Sequence, residues 1–173
     1  MNLKRWKIIS ILGIFGLSGI FHFVYEWIPN DLTCFLFPVN ESIWEHNKII
    51  ILAFFVLALL EKIYYKDKKN TLRAGLISGV VCCLLVMLIF SPIYFFILKT
   101  RDNMIVTFAI FLLSITLSEY LNYKLLSKKA NKKLEILALL GFIFLFVLNG
   151  ILTYYPVKLP IFYDYSNKLY GIK

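Results

Sequence analysis

Charged residues are scarce in this sequence, and cysteine is rarer still. Asp, Glu, Lys and Arg make up 17% of the 173 residues, whereas 60% are hydrophobic. Soluble domains carry about 25% charged residues, so this composition excludes an ordinary soluble domain and indicates a polytopic membrane protein. Cys34 stands alone and Cys82 is adjacent to Cys83, so there is neither a disulfide framework nor a CxxC metal motif.

Five apolar segments are long enough to cross a bilayer. A hydrocarbon core about 30 Å thick needs about 20 apolar residues in a helix. We therefore expect an all-α protein with a single domain over residues 1–173, built as a bundle of five transmembrane helices. Pro92 predicts a kink near Ser91, and residues 32–38 are expected to form a loop in the membrane interface. The predicted spans are 8–27, 43–65, 72–98, 104–126 and 134–155, with an outer tail at 156–173.

Basic residues are distributed unevenly between the loops. Thirteen of the 19 Lys and Arg residues lie at the N-terminus or in the 61–73 and 124–133 loops. The positive-inside rule then predicts a multi-pass plasma-membrane protein with a cytoplasmic N-terminus and an outer C-terminus. We expect the lipid bilayer as the partner, with anionic lipid headgroups beside the basic loops. No nucleic-acid partner is expected, because these basic residues are confined to tight loops, and the sequence names no protein partner.

Both histidines of the chain fall within one short stretch that also contains four of its ten carboxylates. His22 and Glu26 are one helical turn apart near the end of the first span, and Glu41, Glu45 and His46 open the second. Ionisable groups are costly at bilayer depth and are rarely kept there without a partner. This stretch is therefore the predicted functional site, and the topology places it on the outer face.

The residue types suggest a metal centre. Two imidazoles with one or two carboxylates suit a divalent transition metal such as zinc, manganese or iron, and an open position on the ion would activate water. We expect His22, Glu26 and His46 as ligands and Glu41 and Glu45 as catalytic residues. The corresponding activity is that of a metal-dependent membrane hydrolase acting on a lipid or envelope substrate.

Two other functions fit the same residues. Without a metal, a His and Glu pair can relay protons, which would suit a small proton-coupled transporter or a channel-like protein. Alternatively, the polar groups only hold helices together in a structural or regulatory protein without catalysis. Residues 42–45 fit a capping box, so Glu45 is also explained as a helix start.

Further polar positions complete the candidate site. Asn40 opens the second motif, and Asn149 falls at the depth of the histidines on the fifth span. Asp164 in the tail either folds over the outer mouth or remains in a solvated extension. Glu119 lies towards the cytoplasmic end of the fourth span, where we expect Lys124 or Lys62 to hydrogen-bond to it. A GxxxG pattern at 75–79 favours close helix packing within the monomer.

Two motifs carry a resemblance to a known family. HFVYEW at 22–27 and PVNESIWEH at 38–46, with a weaker match at 160–172, resemble a family of uncharacterised bacterial five-helix membrane proteins, a domain of unknown function. The resemblance implies the architecture and the site positions and supplies no activity. The tail of the family often carries a second proline and a histidine where this chain has Val157 and Lys158, which removes a tail histidine as a ligand.

Overall fold

Long helices make up most of the protein. The computed structural model describes residues 2–65, 69–101 and 103–172. A π-helical turn, Ile93–Ile97, follows the fourth helix, and the tail contains a 3-10 turn, Pro160–Phe162. The tail also forms a short antiparallel pair, β1 (Tyr163–Asp164) and β2 (Leu169–Tyr170), with Tyr163 opposite Tyr170. The helices are α1 (Leu3–Trp27), α2 (Asp31–Leu36), α3 (His46–Tyr64), α4 (Thr71–Pro92), α5 (Met104–Leu126) and α6 (Lys132–Tyr154).

Four of the expected spans are present as helices long and apolar enough to cross a membrane. They are α1, α4 with its π-helical turn, α5 and α6. Large apolar side chains such as Leu12, Leu88 and Phe144 are 67%, 71% and 62% exposed on these helices, which is compatible with a lipid environment. The fifth expected span corresponds to α3, whose 19 residues include Lys48, Glu61 and Lys62 and which does not meet the same standard.

Helix α3 packs against α1, α4 and α6, and α4 packs in turn against α5 and α6. Phe54 and Ala58 of α3 are buried against α4, where the GxxxG pattern leaves room for them. A Cβ atom added at Gly75 would lie 2.6 Å from the Cβ of Ala58, and one at Gly79 would lie 3.2 Å from the Cβ of Phe54. The small residues therefore act in packing within the monomer, as the pattern predicted.

Two local expectations need correction, and the helix type changes at the proline where a kink is predicted. Residues 31–36 form the helix α2 instead of a loop, because Asn30 and Thr33 make a capping box at its start. The second predicted span begins at His46 instead of residue 43, since residues 40–45 form turns. Pro92 ends the α-helical part of the third predicted span, and a π-helical turn continues it, because proline has no N–H for the helical hydrogen bond.

The tail folds back onto the segment between α2 and α3. The backbone N–H of Trp44 donates to the carbonyl O of Ile161 at 3.0 Å, and the Trp44 ring stacks on Phe162 with 4.6 Å between centroids. Gly171 has a φ of +67°, and a Cβ there would lie 2.6 Å from the carbonyl O of Thr153. Of the two alternatives for the tail, the folded one is therefore present.

Candidate functional site

Three side chains from two segments converge at one end of the bundle. The Nε2 atoms of His22 and His46 are 3.2 Å apart. The Oε2 atom of Glu41 lies 3.4 Å from Nε2 of His22 and 3.6 Å from Nε2 of His46. His22 belongs to the last two turns of α1, and His46 is the first residue of α3. The turn that precedes α3 carries Glu41.

The tail holds Glu41 in this turn. Asp164, whose side chain is fully buried, accepts a hydrogen bond from the backbone N–H of Glu41 at 3.0 Å. Asn40 donates from Nδ2 to the carbonyl O of Gly171 at 2.7 Å and accepts from the N–H of Ser42 at 2.8 Å. Because these contacts replace helical hydrogen bonds, the backbone at 40–45 stays in turns and the carboxylate of Glu41 reaches both histidines.

The hydrogen bonds of His46 define which of its nitrogens faces the site. Its Nδ1 lies 2.8 Å from the carbonyl O of Ser42, which can only accept, so Nδ1 carries the hydrogen. The Nε2 atom of neutral His46 is then a lone-pair donor directed at His22 and Glu41. A backbone carbonyl in this position is the usual outer partner of a metal-ligating histidine.

The spacing of the three atoms fits a transition-metal ion. Separations of 3.2, 3.4 and 3.6 Å place the point equidistant from all three atoms about 2.0 Å from each. Zinc bonds to imidazole nitrogen and carboxylate oxygen are about 2.0–2.2 Å long, and two histidines with one glutamate form a known catalytic ligand set. The His22–Glu41–His46 cluster is the candidate metal centre, and an ion there would keep an open coordination position.

Charge also favours a cation at this centre. The hydrogen bond from His22 lowers the pKa of Glu41, and this effect, aided by nearby His46, outweighs the opposing effect of partial burial. Behind it, hydrogen bonds from Asn167, Glu41 and Ser166 hold the pKa of Asp164 below its usual value, although burial opposes them. Both carboxylates are therefore ionised at neutral pH and attract a cation to this end of the bundle.

A cavity of about 370 Å³ opens beside the centre. His22 and Glu41 form part of its wall, together with Tyr25, Asn40 and Asn167. Glu26, predicted as a ligand, lines the same cavity one helical turn from His22. It does not belong to the three-atom cluster, and its position on the wall suits contact with a bound molecule.

Glu45, a predicted catalytic residue, lies away from the cavity. Its Oε1 accepts from Oγ1 of Thr153 at 2.7 Å. Its Oε2 accepts from the N–H of Val39 at 3.2 Å and pairs with Nζ of Lys48 at 2.8 Å. Lys48 in turn donates to the carbonyl O of Cys34 at the end of α2. Glu45 is 2% exposed, and its side chain connects α6, the turn before α3 and, through Lys48, the end of α2. Its backbone N–H donates to Oγ of Ser42, which is half of the expected capping box.

Asn149 does not join the histidines. Its Nδ2 donates to the carbonyl O of Leu145 in its own helix at 2.8 Å. The residue lines a different cavity of about 120 Å³, which is apolar and includes Trp44 and Met87. The similar depth along the helix therefore did not bring Asn149 to the same side of the bundle.

Glu119 lies at the opposite end of the protein, and its partner was not expected. Lys7 of α1 has its Nζ 3.1 Å from Oε2 of Glu119. Lys124, one of the expected partners, lies over the ring of Tyr120, with its Nζ 4.5 Å from the centroid. The sequence analysis counted Lys7 only among the basic residues that set the topology, and its position near the start of α1 gave no indication that its side chain points into the bundle.

The chain belongs to a family of unknown function. The model of that family, described as "Family of unknown function (DUF6512)", matches residues 1–172. No curated protein and no solved structure matches the chain. Membership agrees with the uncharacterised family that the motifs indicated, and it assigns no activity to the cavity or to the His22–Glu41–His46 cluster.

Proposed function

We propose from the geometry that this protein, whose family has no known activity, is a membrane hydrolase. It would bind a divalent transition metal at His22, Glu41 and His46. The observation that carries the proposal is the spacing of three ligand atoms around one point at metal-bond distance, beside an open cavity. A bound ion with three protein ligands would supply a water of lowered pKa and polarise a carbonyl or phosphoryl oxygen.

The remaining wall residues have roles in this proposal. Glu26 is the carboxylate of the cavity that is not engaged with the histidines, so it is the general base that takes a proton from the attacking water. Asn40 and Asn167 line the same cavity, and their amide groups hold the tail in the position that orients Glu41. Glu41, expected as catalytic, becomes a ligand, while Glu26, expected as a ligand, becomes the base.

The substrate class follows from the surroundings of the cavity. Trp27 and Leu32 are 62% and 67% exposed close to the wall residues Glu26 and Pro29 in sequence, so an apolar rim adjoins a polar cavity. An amphiphile can place its polar group at the centre and keep its chains in the bilayer. We therefore propose a lipid or envelope substrate that is reached from the outer face, with the N-terminus in the cytoplasm as the basic loops indicate.

The test is the metal content of protein purified in detergent without chelator, measured by mass spectrometry. We expect about one transition-metal ion per chain in the wild type, because the three ligands form one site. The double variant His22→Ala and His46→Ala should lose the ion while retaining its helical circular dichroism.

Two single variants separate this ligand set from the one predicted by spacing. Glu41→Gln should lose the metal, and Glu26→Gln, a matched change in the same cavity, should keep it. Absence of metal from folded wild-type protein, even after incubation with zinc, manganese or ferrous iron, would overturn the proposal. The cluster would then be a shared-proton network of two imidazoles and a carboxylate.

A further inference from the structure

A second group of ionisable side chains lies at the end of the bundle opposite the histidines. Lys7 of α1, Glu61 of α3 and Glu119 of α5 meet there, and their side chains are 7%, 1% and 2% exposed. The proposed hydrolysis uses none of them. Buried charged groups inside membrane helices are expensive, so their protonation states need an explanation.

The hydrogen bonds of this cluster are unequal for the two carboxyl groups. Lys7 forms an ion pair with Oε1 of Glu61, and the same oxygen accepts from Nε1 of Trp6 at 3.0 Å. Nζ of Lys7 also donates to Oδ1 of Asn122 at 2.8 Å. For Glu119 the structure describes one contact, the ion pair with Lys7 at 3.1 Å. Glu61 is therefore the better stabilised of the two as an anion.

The charges do not balance if both carboxyl groups are ionised. One ammonium group would then face two carboxylates, and a buried site would hold an uncompensated negative charge, which is strongly destabilising. Two carboxylates that share one site also repel each other, so one of them retains a proton. In addition, Oε2 of Glu61 is buried without a hydrogen-bond partner among the described residues, so no further donor offsets the second charge.

We propose that the Lys7–Glu61–Glu119 cluster is a proton-binding site, with one exchangeable proton held on a carboxyl oxygen of Glu119 at neutral pH. Uptake transfers one proton from a hydronium ion of the solvent to a carboxylate oxygen of Glu119, which releases a water molecule and leaves the cluster neutral. Among the elements packed around Glu119, the titratable groups that act on it are Lys7 from α1, Glu61 from α3 and Cys82 from α4.

The site exchanges its proton at its own end of the bundle. Lys7 is the fifth residue of α1, about 6 Å along the helix from its start. Towards the histidines, α1 buries Ile14 completely between Ser10 and Ser18, and α5 buries Ile115 completely one turn from Glu119. The proton site and the metal centre therefore lie at opposite ends of the bundle, with these apolar side chains between them.

Infrared spectroscopy of the detergent-solubilised protein tests this proposal directly. The folded wild type should show the C=O stretching band of a protonated carboxylic acid at neutral pH, and this band should disappear at alkaline pH. Glu119→Gln should abolish the band. It should also keep the melting temperature of the wild type at neutral pH, because it replaces a neutral group with a neutral group of similar shape.

A matched variant controls for other carboxyl groups. Both carboxyl oxygens of Glu135 accept hydrogen bonds from backbone N–H groups, those of Leu72 and Arg73 at 3.2 and 2.9 Å, so Glu135→Gln should leave the band unchanged. If Glu119→Gln does not fold, Glu119→Asp takes its place, because moving the proton to an aspartic acid shifts the band. The proposal is overturned if the folded wild type lacks the band or if Glu119→Gln retains it.

Discussion

Replacing Asp164 with asparagine should weaken metal binding although Asp164 is not a ligand. Its Oδ1 accepts from the N–H groups of Ser166 and Asn167 at 2.8 and 2.9 Å. Its Oδ2 accepts from the N–H of Glu41 at 3.0 Å and from Nδ2 of Asn167 at 2.9 Å. Asparagine has the same shape but only one acceptor oxygen, so in either orientation its NH₂ group faces two donors.

The size of the effect follows from the bonds lost. A hydrogen bond to a charged acceptor contributes about 1.5–3 kcal/mol. Because the lost bonds orient the turn that carries Glu41, we expect metal affinity to fall about 10- to 100-fold, the usual range for changes behind a metal ligand. Competition against a chelator of known affinity measures this with zinc or cobalt, and cobalt adds a visible spectrum that reports the ligand number.

Asp31→Asn is the matched control, because Asp31 is a carboxylate at the same end of the bundle. Outside its own helix, the only side-chain contact described for it is a hydrogen bond from Tyr154 at 3.4 Å. It should bind metal like the wild type. Equal affinity in folded Asp164→Asn and wild type would refute the reasoning, since the tail would then not position Glu41. Equal losses in both variants would point to a general charge effect.

The same carboxylate gives a dependence on pH. Because hydrogen bonds lower the pKa of Asp164 in the folded protein, its contribution to stability is present above the unfolded value of about 3.9 and is lost as pH falls through the folded value. The melting temperature of metal-free wild type should therefore fall in acid below about pH 4. Asp164→Asn should lack this component and start from a lower value.

Two further substitutions test the packing of the bundle, both by thermal unfolding in detergent. Gly75→Ala should destabilise the protein by about 1–3 kcal/mol, because the added Cβ would clash with Ala58. Gly16→Ala should be tolerated, because no atom lies within 4 Å of the added Cβ. Equal effects of the two substitutions would contradict the close α3–α4 contact. Lys48→Met should cost about 3–5 kcal/mol because Glu45 would be left as a buried, unpaired charge, and a near-neutral result would show that Glu45 is not ionised in the wild type.

The helices were predictable because their signal is local. An apolar run of sufficient length reports a span regardless of the rest of the chain, and this held for α1, α4, α5 and α6. The apolar run placed the start of α3 at residue 43, three residues before the helix begins, and Glu45 was expected at a catalytic position. In the structure Glu45 instead pairs with Lys48 and Thr153, and no local pattern announces a partner 108 residues away.

The candidate site was predictable only in part, for the same reason. The two histidines could be brought together by counting depth along two adjacent spans. The sequence could not show whether Glu26 or Glu41 joins the two histidines. Helical spacing places Glu26 on the same face as His22, but it gives no information about Glu41, which lies in a turn outside the helices. Glu41 reaches the histidines because Asp164, 123 residues later, holds its backbone in a turn.

The charges of α3 have a consequence for how this helix stays in a bilayer. Three charged residues lie near the ends of α3, Lys48 in its first turn and Glu61 and Lys62 in its last, and charged side chains in membrane helices are kept with partners. In the folded chain, Glu61 is paired with Lys7 of α1, and Lys48 is paired with Glu45 and the end of α2. The charges that keep α3 from qualifying as a membrane span on its own are thus compensated by its neighbours in the assembled bundle.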